Sequence, residues 1–176
     1  MKLPKVNMHL HISQLEEQLV KGGLGAATEF LNARVPYRFS TIYHLKNDVF
    51  TVVESIDKSR ICSAPIGART EFKDSFCRFP VLYGSFSTEN SQSDPRLKGL
   101  AYPSGIESYT GLPLTFPDGK LYGTFCHYDA EPQVLSDFEY QFLQKAVPLL
   151  MRYIQKSPTS LNVAPLRNAE APRPDF

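Results

Sequence analysis

Three cysteines and a handful of histidines are the side chains of this 176-residue chain best suited to nucleophilic, redox or metal chemistry. Cys77 follows Phe76 in a segment with helical spacing, where a helix terminus or Arg78 would lower a thiol's pKa and make it reactive; the alternative is a buried packing cysteine. Cys126 and His127 are neighbours in a strand-like run. The two-residue period puts Tyr122, Thr124, Cys126 and Tyr128 on one face and Leu121, Gly123, Phe125 and His127 on the other. Cys126 and His127 therefore cannot share a cavity. Cys62, Cys77 and Cys126 are odd in number and irregularly spaced, which argues for reduced thiols rather than a disulfide framework. His9 and His11 form an H-x-H with no further ligand type before Glu16, and read as part of a solvated N-terminal arm rather than a metal site. No G-x-x-x-x-G-K-[ST] phosphate loop occurs, and no Ser-His-Asp set can be assigned, so no catalytic residue and no metal ligand is expected.

The elements that must hold these residues are legible in the pattern. Over 106–139 the chain reads as strand, turn, strand, loop and capped helix. Tyr109, Leu112 and Leu114 mark one strand, Pro117-Asp118-Gly119 the reversal and 121–128 the return strand. Ser136 and Glu139 stand in the S-x-x-E spacing of a capping box, with Leu135 and Tyr140 placed as a staple. The helix that follows runs over 137–155. Its stripe of Phe138, Phe142, Leu149 and Tyr153 is widened by Leu143, Ala146, Leu150 and Ile154, broad enough for two contact surfaces. Pro148 falls inside it, costing about 3 kcal/mol against roughly 1 kcal/mol from the Ser136 cap, so burial has to carry the helix, through a kink, past that point.

Upstream, Leu15 and Leu19 define a short amphipathic helix over 13–20 with Ser13 as N-cap. Helicity resumes over 26–34 after Gly22, Gly23 and Gly25, as two helices or one bent helix. Segments 37–45 and 49–55 flank Lys46-Asn47-Asp48 and form a hairpin. A loop over 56–69, a helix over 71–81 limited by Pro80, a short strand over 84–88 and a long polar loop over 89–105 complete the middle of the chain. The organisation is an N-terminal arm over 1–12, one domain over 13–156 and a proline-rich tail over 157–176 expected to be disordered.

Lys plus Arg number 19 against 18 Asp plus Glu, a net charge of +1, so no electrostatic excess draws the protein to nucleic acid or an anionic membrane. The N-terminal segment lacks the apolar run of a secretory signal, and no segment approaches the ~20 apolar residues of a span, so the chain reads as cytoplasmic. A single domain of this length buries about 70% of its unfolded surface and needs neither metal nor disulfide.

The run SYTGLPL followed by DG-x-LYGTFC, an Asp and a capped terminal helix resembles the last third of a GAF domain. Asp74-Ser75-Phe76-Cys77 is similar to that family's serine-aromatic-cysteine segment, and Asp94-Pro95-Arg96 to the Asp-Pro-Arg that closes the following loop. The resemblance covers roughly 29–153. It implies an α+β, GAF/PAS-like fold: about six antiparallel strands, the terminal helices on one face, and the Cys77 helix with the 89–105 loop on the other. It implies a non-catalytic sensory protein in signal transduction, whose unidentified small molecule lies between sheet and loop against Phe76, Cys77, Asn90, Tyr109, Thr124 and Cys126. A homodimer through the first and last helices, and a separate output partner, complete this reading. Other classes remain. The return strand also resembles the LWGL-x-x-CHH strand beside the bilin of phytochrome-type GAF domains, although neither the Pro-centred motif nor a Met-His segment is found. Some GAF proteins are free methionine sulfoxide reductases that use close cysteine pairs in loops; Cys62 and Cys77 lie fifteen apart and Cys126 falls in a strand, a poor match to that pattern, while oxidation of Cys62 or Cys77 would make a thiol redox sensor. A purely structural dimerisation module would do none of these things. The Asn-Lys…Phe…Asp-Glu signature of cyclic-nucleotide GAF domains is absent.

Overall fold

The computed structural model describes residues 7–60 and 68–157. Helix α1 (Met8–Ala33) is followed by strands β1 (Phe39–Lys46), β2 (Val49–Asp57) and β3 (Arg69–Glu71). Helix α2 (Arg78–Tyr83), strands β4 (Phe86–Thr88), β5 (Ser108–Thr115) and β6 (Leu121–Asp129), and helix α3 (Asp137–Lys156) complete the order. The strands form one six-stranded antiparallel sheet in the order β3-β2-β1-β6-β5-β4. Both hairpins expected from the sequence are present. Asn47 and Asp48 take positive φ at the first reversal and Gly119 (φ 83°) at the second, the backbone that such tight turns require.

Helix α1 is one bent helix whose start corrects the expected arm. Asn7, not Ser13, is the N-cap, its side chain accepting from His9 N, and residues 8–12 are helical because Met8 and Ile12 pack on the core beneath α1. The bend sits at Gly22 and Gly23, where φ of −143° and +64° leaves the helical region. His11 is not part of a solvated arm either. Its Nδ1 lies 3.1 Å from Arg34 Nη1, and its ring meets Phe138 and Phe142 edge-on.

Helix α3 runs unbroken through Pro148, which sits on its solvent side while Leu149, Leu150 and Met151 are buried. Ser136 Oγ accepts from Glu139 N at 3.3 Å, as a cap should. The Glu139 carboxylate instead takes two hydrogen bonds from Arg34 at 2.7 and 2.9 Å, tying α3 to the end of α1. The two contact surfaces of α3 are thereby α1 and the sheet: Leu15, Leu19, Phe142, Leu143, Ala146 and Leu150 join Ile42, Leu112, Leu114 and Phe125 in one mainly aliphatic core.

The expected helix over 71–81 is broken. Phe72–Asp74 is a 3-10 turn, and α2 starts only at Arg78 and ends where Gly84 (φ 80°) donates its N–H to Pro80 O. Pro80 does not limit this helix but lies in its first turn, where a missing N–H costs nothing. The expected 157–176 tail lies, from residue 158 onward, outside the described residues, as does Cys62.

Candidate functional site

Strand alternation divides the sheet into two faces. Phe39, Tyr43, Tyr109, Cys126 and Tyr128 turn away from α1 and α3, toward the 72–83 segment and the loop before β5. One departure from strict alternation matters. Leu114 pairs with Gly123 and Thr115 with Leu121, so β6 carries one extra residue at Tyr122. This bulge moves Tyr122 onto the helix face, against Phe116 and His44, and Leu121 onto the other, reversing the faces that an unbroken period assigns them. At Gly123 a Cβ would meet Tyr43 O at 1.8 Å, so only glycine lets β1 and β6 approach here.

Between this face and its cover lies a cavity of about 270 Å³. Tyr43, Tyr109, Cys126 and Tyr128 form its floor; Ser75, Phe76 and Cys77 one wall; Thr70, Asp74, Pro103 and Ile106 the rim. The Ser75 hydroxyl accepts from Cys77 N at 3.0 Å, and this local turn aims both Phe76 and Cys77 at the sheet. Phe76 stacks on Tyr109 with centroids 5.1 Å apart and meets Tyr102 at 5.0 Å. Across the floor Phe39 stacks on Tyr128 at 5.0 Å, and the Tyr43 and Tyr128 phenols share a hydrogen bond.

The Tyr109 hydroxyl donates to Cys77 Sγ at 3.6 Å. Burial pushes the Cys77 thiol up, but donors from Cys126, Thr124, Tyr109 and Ser75 outweigh it and bring the thiol from 9 down to about 7. Arg78, the sequence's suggested activator, turns away to Ala101 O at 2.6 Å and lies over the Phe79 ring. Burial and the neighbouring Cys77 hold Cys126 well above the usual thiol range, and Cys126 Sγ donates to Thr41 O at 3.7 Å. Burial likewise raises Tyr43 and Tyr109, and takes Tyr128 to about 12, so all three phenols are neutral donors at pH 7.

Of the six residues expected at the site, Phe76, Cys77, Tyr109 and Cys126 line the cavity together. Thr124 is fully buried beside Cys77 but does not line the cavity. Asn90 is not brought in. Its side chain accepts from Gln92 N at 3.0 Å and closes a turn of the 89–105 loop, and only Pro103, near the loop's end, reaches the cavity. The body of that loop is pinned elsewhere: Asp94 caps a 3-10 turn, Arg96 donates to Asp94 and to Ser87 O, and the Arg96 hydrogen bond, against burial, holds the Asp94 carboxyl down at about 2. Sequence reasoning missed Tyr43 as a floor residue, because β1 lies beside β6 only through a pairing of 39–44 with 123–128. Tyr128 was within reach, since it shares the period-two face of Cys126.

His127 faces the opposite way, as strand alternation requires. Asn32 Nδ2 donates to Ser40 Oγ at 2.7 Å, which leaves the Ser40 proton for His127 Nδ1 at 2.6 Å. Burial, then the Lys58 charge, lower His127 to about 3, so it is a neutral structural acceptor. Among the described residues there is no group of three or more His, Cys, Asp or Glu that could hold a metal ion, and no helix long and apolar enough to cross a membrane.

The architecture has close counterparts. The GAF domain of an Acinetobacter phosphoenolpyruvate-protein phosphotransferase superposes with a TM-score of 0.69 at 15% identity, over 90% of this chain and 100% of that one. A free methionine-R-sulfoxide reductase from Neisseria meningitidis, solved with its substrate, gives 0.65 at 13% identity over 88% and 95%. The phycocyanobilin-bound GAF domain of a cyanobacterial phytochrome gives 0.65 at 14% over 90% and 100%. The fold is that of a GAF domain. No family model matches the sequence. Among curated proteins, diguanylate cyclase DgcP of Escherichia coli (strain K12) is 37% identical over 67 residues, which is 38% of this chain and only 19% of that protein's length.

Proposed function

We propose that this protein is a cytoplasmic sensory module that binds a small, uncharged or cationic molecule between its sheet and the 70–77 and 103–106 segments, and signals through a separate partner. The observation that carries the reading is the make-up of the cavity. Aromatic rings wall it, neutral phenols, the protonated Cys126 and the more acidic Cys77 supply its polar groups, and Asp74 is the one Asp, Glu, Lys, Arg or His lining it among the described residues. An anion would find no countercharge there, whereas a neutral ligand or a cation would meet hydrogen-bond donors, ring faces and one carboxylate. At about 270 Å³ the space falls just below the roughly 300–1,000 Å³ typical of ligand pockets, which favours a compact metabolite over an open-chain tetrapyrrole. A homodimer belongs to the proposal. The breadth of α3 no longer argues for it, since α1 and the sheet occupy that stripe, but Leu10 and Val20 leave α1 with apolar side chains 54% and 88% exposed.

A ligand at a hundredfold excess over Kd should stabilise the fold by about 2.7 kcal/mol, a melting shift of about 5–10 °C for a domain of this size. A metabolite screen weighted toward neutral and cationic compounds that moves nothing would sink the sensing role. Native mass spectrometry on freshly purified protein reads retained ligand and dimerisation in one measurement. One observation supports a second reading: Cys77 and Cys126 share the cavity, in a fold that a free methionine-R-sulfoxide reductase also has. Thiol-dependent consumption of free methionine sulfoxide, lost in Cys77→Ser, is the test of that enzyme function.

A further inference from the structure

Two buried thiols meet in the cavity, and reversible ligand binding uses the reactivity of neither. We propose that Cys77 and Cys126 form an oxidant-sensing dithiol, in which a small hydroperoxide entering the cavity oxidises Cys77 and Cys126 closes it to an intramolecular disulfide.

The geometry assigns different roles to the two sulfurs. Cys77 is the acceptor of its surroundings: the Tyr109 hydroxyl points at its sulfur from 3.6 Å, and the Thr124 hydroxyl lies close by. Tyr109 is held in that pose. Its ring is clamped by Phe76, and it folds over Gly111, where a Cβ would stand 2.3 Å from the hydroxyl oxygen. Cys126 is a donor, directing its proton to Thr41 O while its sulfur lies beside Cys77. Cys77 is thus the thiol inclined to ionise near neutral pH and Cys126 the one that stays protonated, which is the division of labour between an attacking and a resolving cysteine.

The chemistry balances without a further reactant. The Cys77 thiolate attacks one peroxide oxygen; the S–O bond forms, the O–O bond breaks, and the departing alkoxide takes up the proton that Cys77 released on ionising. The product at Cys77 is a sulfenic acid. Cys126 sulfur then attacks Cys77 sulfur; the S–S bond forms, the S–O bond breaks, and hydroxide leaves as water with the Cys126 proton. Two thiols and one hydroperoxide give one disulfide, one alcohol and one water. Since both sulfurs are buried, the oxidant has to enter the cavity, so hydrogen peroxide should react and a bulky hydroperoxide such as cumene hydroperoxide should be slower by roughly tenfold or more.

The experiment treats the full chain with hydrogen peroxide and follows intact mass and peptide maps. The expected result is loss of two hydrogens, a single Cys77–Cys126 link within one chain, and recovery with dithiothreitol. In Cys126→Ser the reaction should stop at a sulfenic acid on Cys77, trapped by dimedone; in Cys77→Ser neither link nor adduct should form. A disulfide that involves Cys62, an adduct that appears first on Cys126, or a folded protein whose thiols survive the oxidant would each overturn the proposal. The map of the unsubstituted chain decides even where a serine variant fails to fold. The inference uses the cavity of the proposed sensing function but not its ligand: ligand-induced stabilisation with inert thiols removes only the dithiol, and oxidation without any ligand shift removes only the metabolite.

Discussion

Beneath α1 and α3 the sheet is covered mainly by aliphatic side chains, with Leu15, Leu31, Ile42, Leu143 and Leu150 in one continuous core around Phe125 and Phe142, whereas its other face carries rings stacked in pairs around a hollow. The contrast follows from side-chain shape. Branched aliphatics interdigitate and fill space, while flat rings set edge to face or in offset stacks hold one another rigidly and leave gaps between them. The polar groups divide in the same way. On the helix face Asn32, Ser40 and His127 are bonded to one another and, through Asn32, to the Tyr37 and Arg38 carbonyls; on the cavity face Tyr43, Tyr109, Tyr128 and Cys77 present donors and a nucleophile to a space a molecule can enter. One face holds the domain together, and the other holds the cavity.

That division fails if the helix face is not the source of stability. Leu150→Ala, which opens a void in the fully buried α3 contact, should cost about 2–5 kcal/mol in urea unfolding; a loss below about 1 kcal/mol would mean that the two faces share the load. The next largest effect is a pH dependence. Unfolded His127 takes a proton near pH 6.5 and folded His127 only near 3, so the unfolded chain binds more protons throughout that window. Stability is complete above pH 6.5 and is lost as pH falls toward 3, by about 2 kcal/mol between pH 7.5 and 5. His127→Gln, which retains an acceptor for Ser40, should flatten that slope while leaving Cys77 reactivity unchanged.

On the cavity face the balance should reverse. Tyr109→Phe removes one donor to Cys77 at a stability cost of about 1 kcal/mol or less, yet should move the pH midpoint of Cys77 alkylation by iodoacetamide upward. An unmoved midpoint would show that the phenol does not tune the thiol. Smallest of all, Asn90→Ala should change stability by less than about 0.5 kcal/mol and leave any ligand-induced melting shift intact, because its side chain closes a loop turn outside the cavity. A lost ligand shift in this variant would restore Asn90 to the site.

Sequence reading reached unevenly into the two faces. The hairpins, the Ser136 cap and the aliphatic stripe of α3 rest on interactions within a few residues, so their types and spacing carried them. Phe76, Cys77, Tyr109 and Cys126 lie around one cavity, where a resemblance had placed their segments. Asn90 lies outside that cavity, since its neighbouring backbone competed for its side chain, and Tyr122 changed faces because a bulge inserts a residue that no periodicity announces.

What the chain determined by itself, then, is which segments become strands and helices and which face each residue prefers, because those choices are decided by local backbone sterics and by hydrophobic period. Only the tertiary structure decided that β1 lies against β6, that Tyr43 joins Cys126 and Tyr128 in one floor, and that Tyr109, Thr124 and Cys126 converge on Cys77 from parts of the chain tens of residues away. Those meetings depend on non-local register, which is selected by how whole faces pack and leaves no trace in the spacing of neighbours.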